Sequence, residues 1–147
     1  MLERLSRGRA FKRRLPAEFG RTPIYVSPDS QLKYLKPGAS AFDLELLRVA
    51  REELHNGDVV WDIGANVGVF TFAAASRTQS GDVLAVEPDI WLAGLLRKSA
   101  NLGQNRGLGV RVLPTAIAGE PGMETFLVAE RGRASNALSG PGARGEA

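Results

Sequence analysis

Two acids and a glycine turn are the groups in this chain best placed to do chemistry. Asp62, Gly64 and Gly68 lie within Val59-Val60-Trp61-Asp62-Ile63-Gly64-Ala65-Asn66-Val67-Gly68-Val69-Phe70, and Glu87 lies in Val86-Glu87-Pro88. The first segment reads as an apolar strand that enters a glycine turn and then an apolar helix. Its glycines leave backbone uncovered where a ligand or a neighbouring element can come close, and Asp62 closes the strand at the carboxyl end, where open α/β sheets take ligands. Glu87 closes the following strand. A carboxylate roughly twenty residues beyond such a turn is placed to accept hydrogen bonds from both hydroxyls of a ribose. The pattern points to a ligand containing adenosine or a similar nucleoside.

Charge narrows the ligand further. Dinucleotide sites show G-x-G-x-x-G, whose second glycine admits a pyrophosphate, whereas this chain has Asp62-x-Gly64-x-Asn66-x-Gly68. An acid just before the turn repels a pyrophosphate and attracts an ammonium or a sulfonium. Free amides at the start of the next helix are expected to receive an α-carboxylate. S-adenosylmethionine carries all three groups, so the charge logic favours it over a nicotinamide dinucleotide.

The elements that must position these residues follow from the patterning. Thr22 to Val26 is expected to be a short strand followed by a turn at Ser27-Pro28-Asp29-Ser30. Ser40 and Asp43 have capping-box spacing before a helix from Ala41 to Leu54, whose inner face carries Leu46, Leu47, Ala50 and Leu54, with Gly57 as a stop. Next come a strand from Val59 to Ile63, a helix from Val67 to Ser76 and a strand from Val83 to Val86. Asp89 then starts a helix with a buried stripe of Leu92, Leu95, Leu96 and Ser99; it breaks between Gly103 and Gly107, ahead of a strand from Val110 to Leu113. This β-α-β-α-β order implies a parallel sheet with right-handed crossovers. Met123 to Val128 is expected to add a strand, and a loose tail is expected from Ser139.

Composition limits the alternatives. With 147 residues and 44% hydrophobic content the chain has the size and apolar fraction of one ordinary domain. It has no cysteine and one histidine, which excludes disulfides, thiolate zinc sites and multi-histidine metal sites. The net charge of +3 comes largely from Arg4, Arg7, Arg9, Lys12, Arg13 and Arg14. That leader is read as solvated and flexible rather than as a nucleic-acid or lipid contact. No apolar stretch is long enough to span a membrane or to form a signal peptide core, so a cytoplasmic location is the expectation.

The segment Asp62-Ile63-Gly64-Ala65-Asn66-Val67-Gly68-Val69-Phe70-Thr71, with Val86-Glu87-Pro88, resembles motifs of class I S-adenosylmethionine-dependent methyltransferases and, more narrowly, of the FkbM-type family. The resemblance covers about residues 57 to 138 and extends, less specifically, to Arg133-Ala134-Ser135-Asn136. It implies a Rossmann-like α/β/α sheet in three layers and O-methylation of a hydroxyl on a small molecule or sugar. It further implies that Asp62, Gly64 and Ala65 line the methionine end of the cofactor, that Asn66 and Gly68 hold the turn, and that Glu87 binds the ribose. Pro88 and Asp89 would border the adenine, with the Ala116 backbone approaching its edge. By the resemblance the domain divides into a basic leader (1–21), a strand and helix prelude (22–56), a cofactor-binding half (57–138) and a tail (139–147).

The same resemblance implies a fourth core strand ending in an acidic motif near Asp-Val-Glu-Gly, which this sequence does not contain. The sheet is therefore expected to be incomplete at its C-terminal side, with the apolar edge of the Val59 to Ile63 strand open to self-association. No general base is assignable. His55 is read as a helix C-terminal cation, Trp61 and Trp91 as packing groups, and Ser135 and Asn136 as solvated. Two other readings stay open: a catalytically silent module that binds a nucleoside or a partner chain, and, more weakly, a nucleotide-dependent oxidoreductase.

Overall fold

A computed structural model describes residues 8–129 and 137–138. The Arg133 to Asn136 loop, the tail from Ser139 and the first arginines of the leader lie outside the described residues. The chain opens with an antiparallel pair, Phe11–Arg14 (β1) and Pro23–Val26 (β2), with Phe11 opposite Val26. β1 departs from the flexible leader expected there. Its side chains alternate between half-buried and exposed, and the following Leu15 and Phe19 are almost fully buried, so the basic residues decorate a strand that two apolar anchors hold down.

The first helix, Leu44–Glu53 (α1), begins later than Ser40 and Asp43 suggested. Asp43 is itself the N-cap, accepting the Glu45 N–H at 3.1 Å, while the Ser40 hydroxyl turns back to the Pro37 carbonyl. The helix ends before His55, whose exposed ring lies 3.9 Å from Asp58 instead of capping a helix.

The core sheet follows the expected order. Val60–Ile63 (β3), Val69–Thr78 (α2), Val83–Val86 (β4), Ile90–Ala100 (α3) and Val110–Leu113 (β5) make two successive βαβ units. The sheet is parallel in the order β3-β4-β5, with Val60 beside Val83 beside Val110. Asp89 caps α3 by accepting the Trp91 and Leu92 N–H groups, and the stripe of Leu92, Leu95, Leu96 and Ser99 is buried as the spacing predicted. Each fully buried leucine or phenylalanine of this layer contributes about 1.5–3 kcal/mol.

Neighbouring residues of parallel strands share a face, so Val60, Val83 and Ala85 pack toward α2 and α3, while Trp61 and Ile63 project from the other side. Trp61 and Ile63 are 64% and 58% exposed, and no helix covers that face among the described residues. The described chain thus builds two of the three layers. Trp61 does not pack as expected, because nothing among the described residues covers it. β3 is the sheet edge, hydrogen-bonded to a strand on one side alone among the described residues. Beyond β5, the expected strand from Met123 shortens to Phe126–Leu127 (β6), paired antiparallel with Ala137–Leu138 (β7).

The N-terminal pair is fastened to the core by polar groups. The Tyr25 N–H donates to Ser99 Oγ at 2.8 Å, and the buried Asn105 side-chain amide donates to the Pro23 and Ser99 carbonyls at 2.7 and 2.8 Å. Asn105 gives the break after α3 a structural task, and the same fastening holds the chain after β2 over the end of β3.

Candidate functional site

The glycine turn leaves β3 at Gly64 and enters α2 at Val69. Three of its residues have positive φ: Gly64 (81°), Asn66 (54°) and Gly68 (91°). Asparagine tolerates this region better than other residues with a side chain. The two glycines differ in purpose. A Cβ on Gly64 would meet nothing within 4 Å, whereas one on Gly68 would stand 2.5 Å from Leu96 Cδ2 and 2.9 Å from the Phe72 ring. Gly64 lines a cavity; Gly68 lets α2 close on α3.

Every amide of the turn is already engaged. Gly64 and Ala65 donate to the Val86 carbonyl at 2.9 and 3.0 Å, and Gly68 donates to the Ala65 carbonyl at 2.8 Å. Asn66 donates to Glu87 Oε2 at 2.7 Å, and Val67 donates to Asn66 Oδ1 at 2.8 Å. None of these five N–H groups is left for an α-carboxylate; the helix-start amides expected to receive one begin beyond them, at Val69 and Phe70.

Glu87 is 6% exposed and accepts from two backbone amides, Asn66 at one oxygen and Asp89 at the other. It braces the turn against the start of α3. Burial raises its pKa above the ordinary 4.5, Asp89 and Asp62 add to the rise, and the two amide hydrogen bonds oppose it. Asp62 accepts from the Thr71 hydroxyl on the first turns of α2. Burial holds its pKa above the ordinary 3.8, against the pull of the Thr71 hydrogen bonds.

Three cavities run across the carboxyl ends of the strands. One of about 230 Å³ is lined by Asp62, Gly64, Ala65 and Asn66 together with Gln31, Lys33, Tyr34 and Asp43. A second, of about 220 Å³, shares Ile63 and Gly64 with the first and adds Pro88, Thr115 and Ala116. The third, of about 700 Å³, shares Pro88, Thr115, Ala116 and Ile117 with the second and extends along residues 118–124. Of the expected site residues, Asp62, Gly64, Ala65 and Asn66 thus gather at one end of this groove, and Pro88 and Ala116 at the other. Glu87 and Gly68 line none of the three.

Sequence reasoning missed the wall contributed by residues 31–43. The Ser30 hydroxyl donates to Asn66 Oδ1, and the Arg13 guanidinium donates to the Tyr34 carbonyl at 2.7 and 3.0 Å and to the Lys36 carbonyl at 2.9 Å. These bonds hold the segment after β2 over the glycine turn. Tyr34 is buried, and burial with the nearby Asp43 keeps its hydroxyl protonated well past the usual range. The signal available in the sequence was the turn Ser27-Pro28-Asp29-Ser30, which carries no hint of its distant partner.

No family model matches the chain, nor does any curated protein. Among solved structures, precorrin-6y C5,15-methyltransferase from Geobacter metallireducens GS-15 is similar with a TM-score of 0.42 at 22% identity, covering 48% of this chain and 38% of that one. The M. jannaschii tRNA m1G37 methyltransferase is similar with a TM-score of 0.49 at 18% identity, covering 74% of this chain and 28% of that one. The chain therefore spans well under half the length of either. The fold is a Rossmann-like α/β domain. That assignment rests on the parallel order β3-β4-β5 with a helix in each crossover. No helix among the described residues is long and apolar enough to cross a membrane, and no cluster of acidic or histidine side chains among them could hold a metal ion.

Proposed function

We propose that the groove across the ends of β3, β4 and β5 binds S-adenosylmethionine and that the chain serves methyl transfer from its sulfonium. The observation that carries this reading is the Asp62 carboxylate, half-buried, fixed by Thr71 and lining a cavity beneath a glycine turn. A buried carboxylate suits a cationic amino-acid end and opposes a pyrophosphate. The cavities bordered by Pro88 and Ala116 continue from it and offer room for an adenosine. Glu87, with both oxygens engaged by amides and lining none of the three cavities, would support the ribose end by bracing the turn.

Methyl transfer to oxygen is an in-line displacement whose catalysis comes chiefly from aligning acceptor and methyl carbon, with a base assisting when the acceptor is an alcohol. The finer reading, FkbM-type O-methylation of a small molecule or sugar, is supported by Asp62 to Thr71 and Val86 to Pro88. Equilibrium dialysis with labelled S-adenosylmethionine tests the proposal: binding is expected, weakened by Asp62→Ala and by Glu87→Ala. Binding that neither substitution changes overturns the site assignment.

The uncovered face bearing Trp61 and Ile63 favours a second reading, a silent nucleoside-binding module completed by a partner chain. Cofactor binding without methyl transfer to any hydroxyl acceptor would select it.

A further inference from the structure

An α-carboxylate entering the cavity of about 230 Å³ finds the amides of Gly64 to Gly68 already engaged, which leaves it the first amides of α2, at Val69 and Phe70, and the side chains of the wall. Among the described residues lining that cavity Lys33 is the only cation. Its Nζ lies 3.6 Å from Asp43 Oδ2 in a partly exposed pair, 27% and 46% accessible, which a ligand can enter and exchange. Gln31 lines the same cavity, and its Oε1 is buried without a hydrogen-bond partner. An acceptor stranded in this way is a standing cost to the empty protein, and a donor on a ligand would remove it. A cation, a buried amide oxygen and the Asp62 carboxylate in one small cavity complement a zwitterion.

We propose that Gln31 and Lys33 read the α-amino-acid end of the ligand: Lys33 leaves Asp43 for the carboxylate, and Gln31 Oε1 accepts from the ammonium alongside Asp62. This rests on the cofactor reading above and adds to it a recognition element outside the glycine turn. Asp43 competes with the ligand for Lys33. Segment 31–36 is kept in register for this task by Arg13 on β1 and by Ser30 on Asn66.

Calorimetric titration with two probes tests the inference. S-adenosylhomocysteine and 5′-methylthioadenosine share the adenosine and the thioether sulfur, and the first alone carries the amino-acid end. Lys33→Met is expected to weaken S-adenosylhomocysteine about tenfold and to leave 5′-methylthioadenosine within about twofold. Gln31→Met is expected to weaken the same probe while the thermal midpoint of the empty protein holds or rises, since the stranded acceptor is gone. A misfolded variant would instead lose both. Asp43→Asn keeps the helix cap and frees Lys33, so S-adenosylhomocysteine should bind about two- to fivefold tighter. If the wild type binds both probes and these variants shift them equally or leave them unchanged, the inference is overturned and the cofactor reading stands. If the wild type binds neither, the cofactor reading falls and takes the inference with it.

Discussion

Replacing each glycine of the turn by alanine separates ligand approach from packing within a single motif. Gly64→Ala places a methyl group in open space, so its cost to folding is the positive φ alone, about 1–2 kcal/mol. Gly68→Ala carries the same backbone cost and adds a methyl 2.5 Å from Leu96 Cδ2 and 2.9 Å from the Phe72 ring. Leu96 and Phe72 are both fully buried, so neither can swing away into solvent. Overpacking of this kind adds about 1–3 kcal/mol, for a total of about 2–5 kcal/mol. Urea melts of the two variants measure the difference. The packing part has its own check, because Leu96→Val removes the Cδ2 atom that Gly68→Ala would strike. The double variant should be more stable than the sum of the single losses allows, by about 0.5–3 kcal/mol of coupling. Cofactor affinity should run the other way, with Gly64→Ala, which lines the cavity, losing more than Gly68→Ala at protein concentrations where both are folded. Equal destabilisation by the two alanines, or additivity of Gly68→Ala with Leu96→Val, would refute the division of labour.

Two further outcomes follow from the electrostatics and the open sheet. Asp62 has a folded pKa raised above its unfolded value, so the folded state holds the proton more tightly: its contribution to stability is fully present below the ordinary value of 3.8 and is lost as pH rises through the raised value. Ligand binding needs the ionised form, so affinity for S-adenosylhomocysteine should fall on acidification through that same window and 5′-methylthioadenosine should be less affected; identical pH profiles for the two probes would argue that Asp62 does not meet an ammonium. The uncovered face should drive self-association that rises with concentration in sedimentation velocity, and Trp61→Lys with Ile63→Lys should suppress it; a wild type that stays monomeric throughout would show that this face and edge are protected.

The parallel core was legible because its information is local. Apolar runs bounded by Gly81-Asp82 and Pro88-Asp89 fix strand and helix limits to within a residue or two, and the Asp89 cap with its leucine stripe appears as the spacing required. The glycine turn was legible as a turn, yet the separate tasks of Gly64 and Gly68 were not, since only the position of Leu96 distinguishes them. β1 was hidden by composition: arginines and lysine dominate Phe11–Arg14, and the anchors Leu15 and Phe19 follow the strand instead of lying in it. The wall formed by Gln31, Lys33 and Tyr34 was illegible for a different reason. It depends on side-chain hydrogen bonds between residues 21 and 36 positions apart, Arg13 to Tyr34 and Ser30 to Asn66, and no periodicity records such pairings.

The Ser30 hydrogen bond to Asn66 joins two stretches of chain that carry different kinds of information. The nucleoside end of the groove is built wholly from residues after 57, while the charged end borrows its wall from residues before 44. Ligand preference at the charged end is thus separable from the scaffold that presents it. Substitutions confined to Gln31 and Lys33, which leave Tyr34, Ala41 and Phe42 in the core they share with α2 and α3, would retune which acid or amine the groove accepts while leaving the adenosine surface in place.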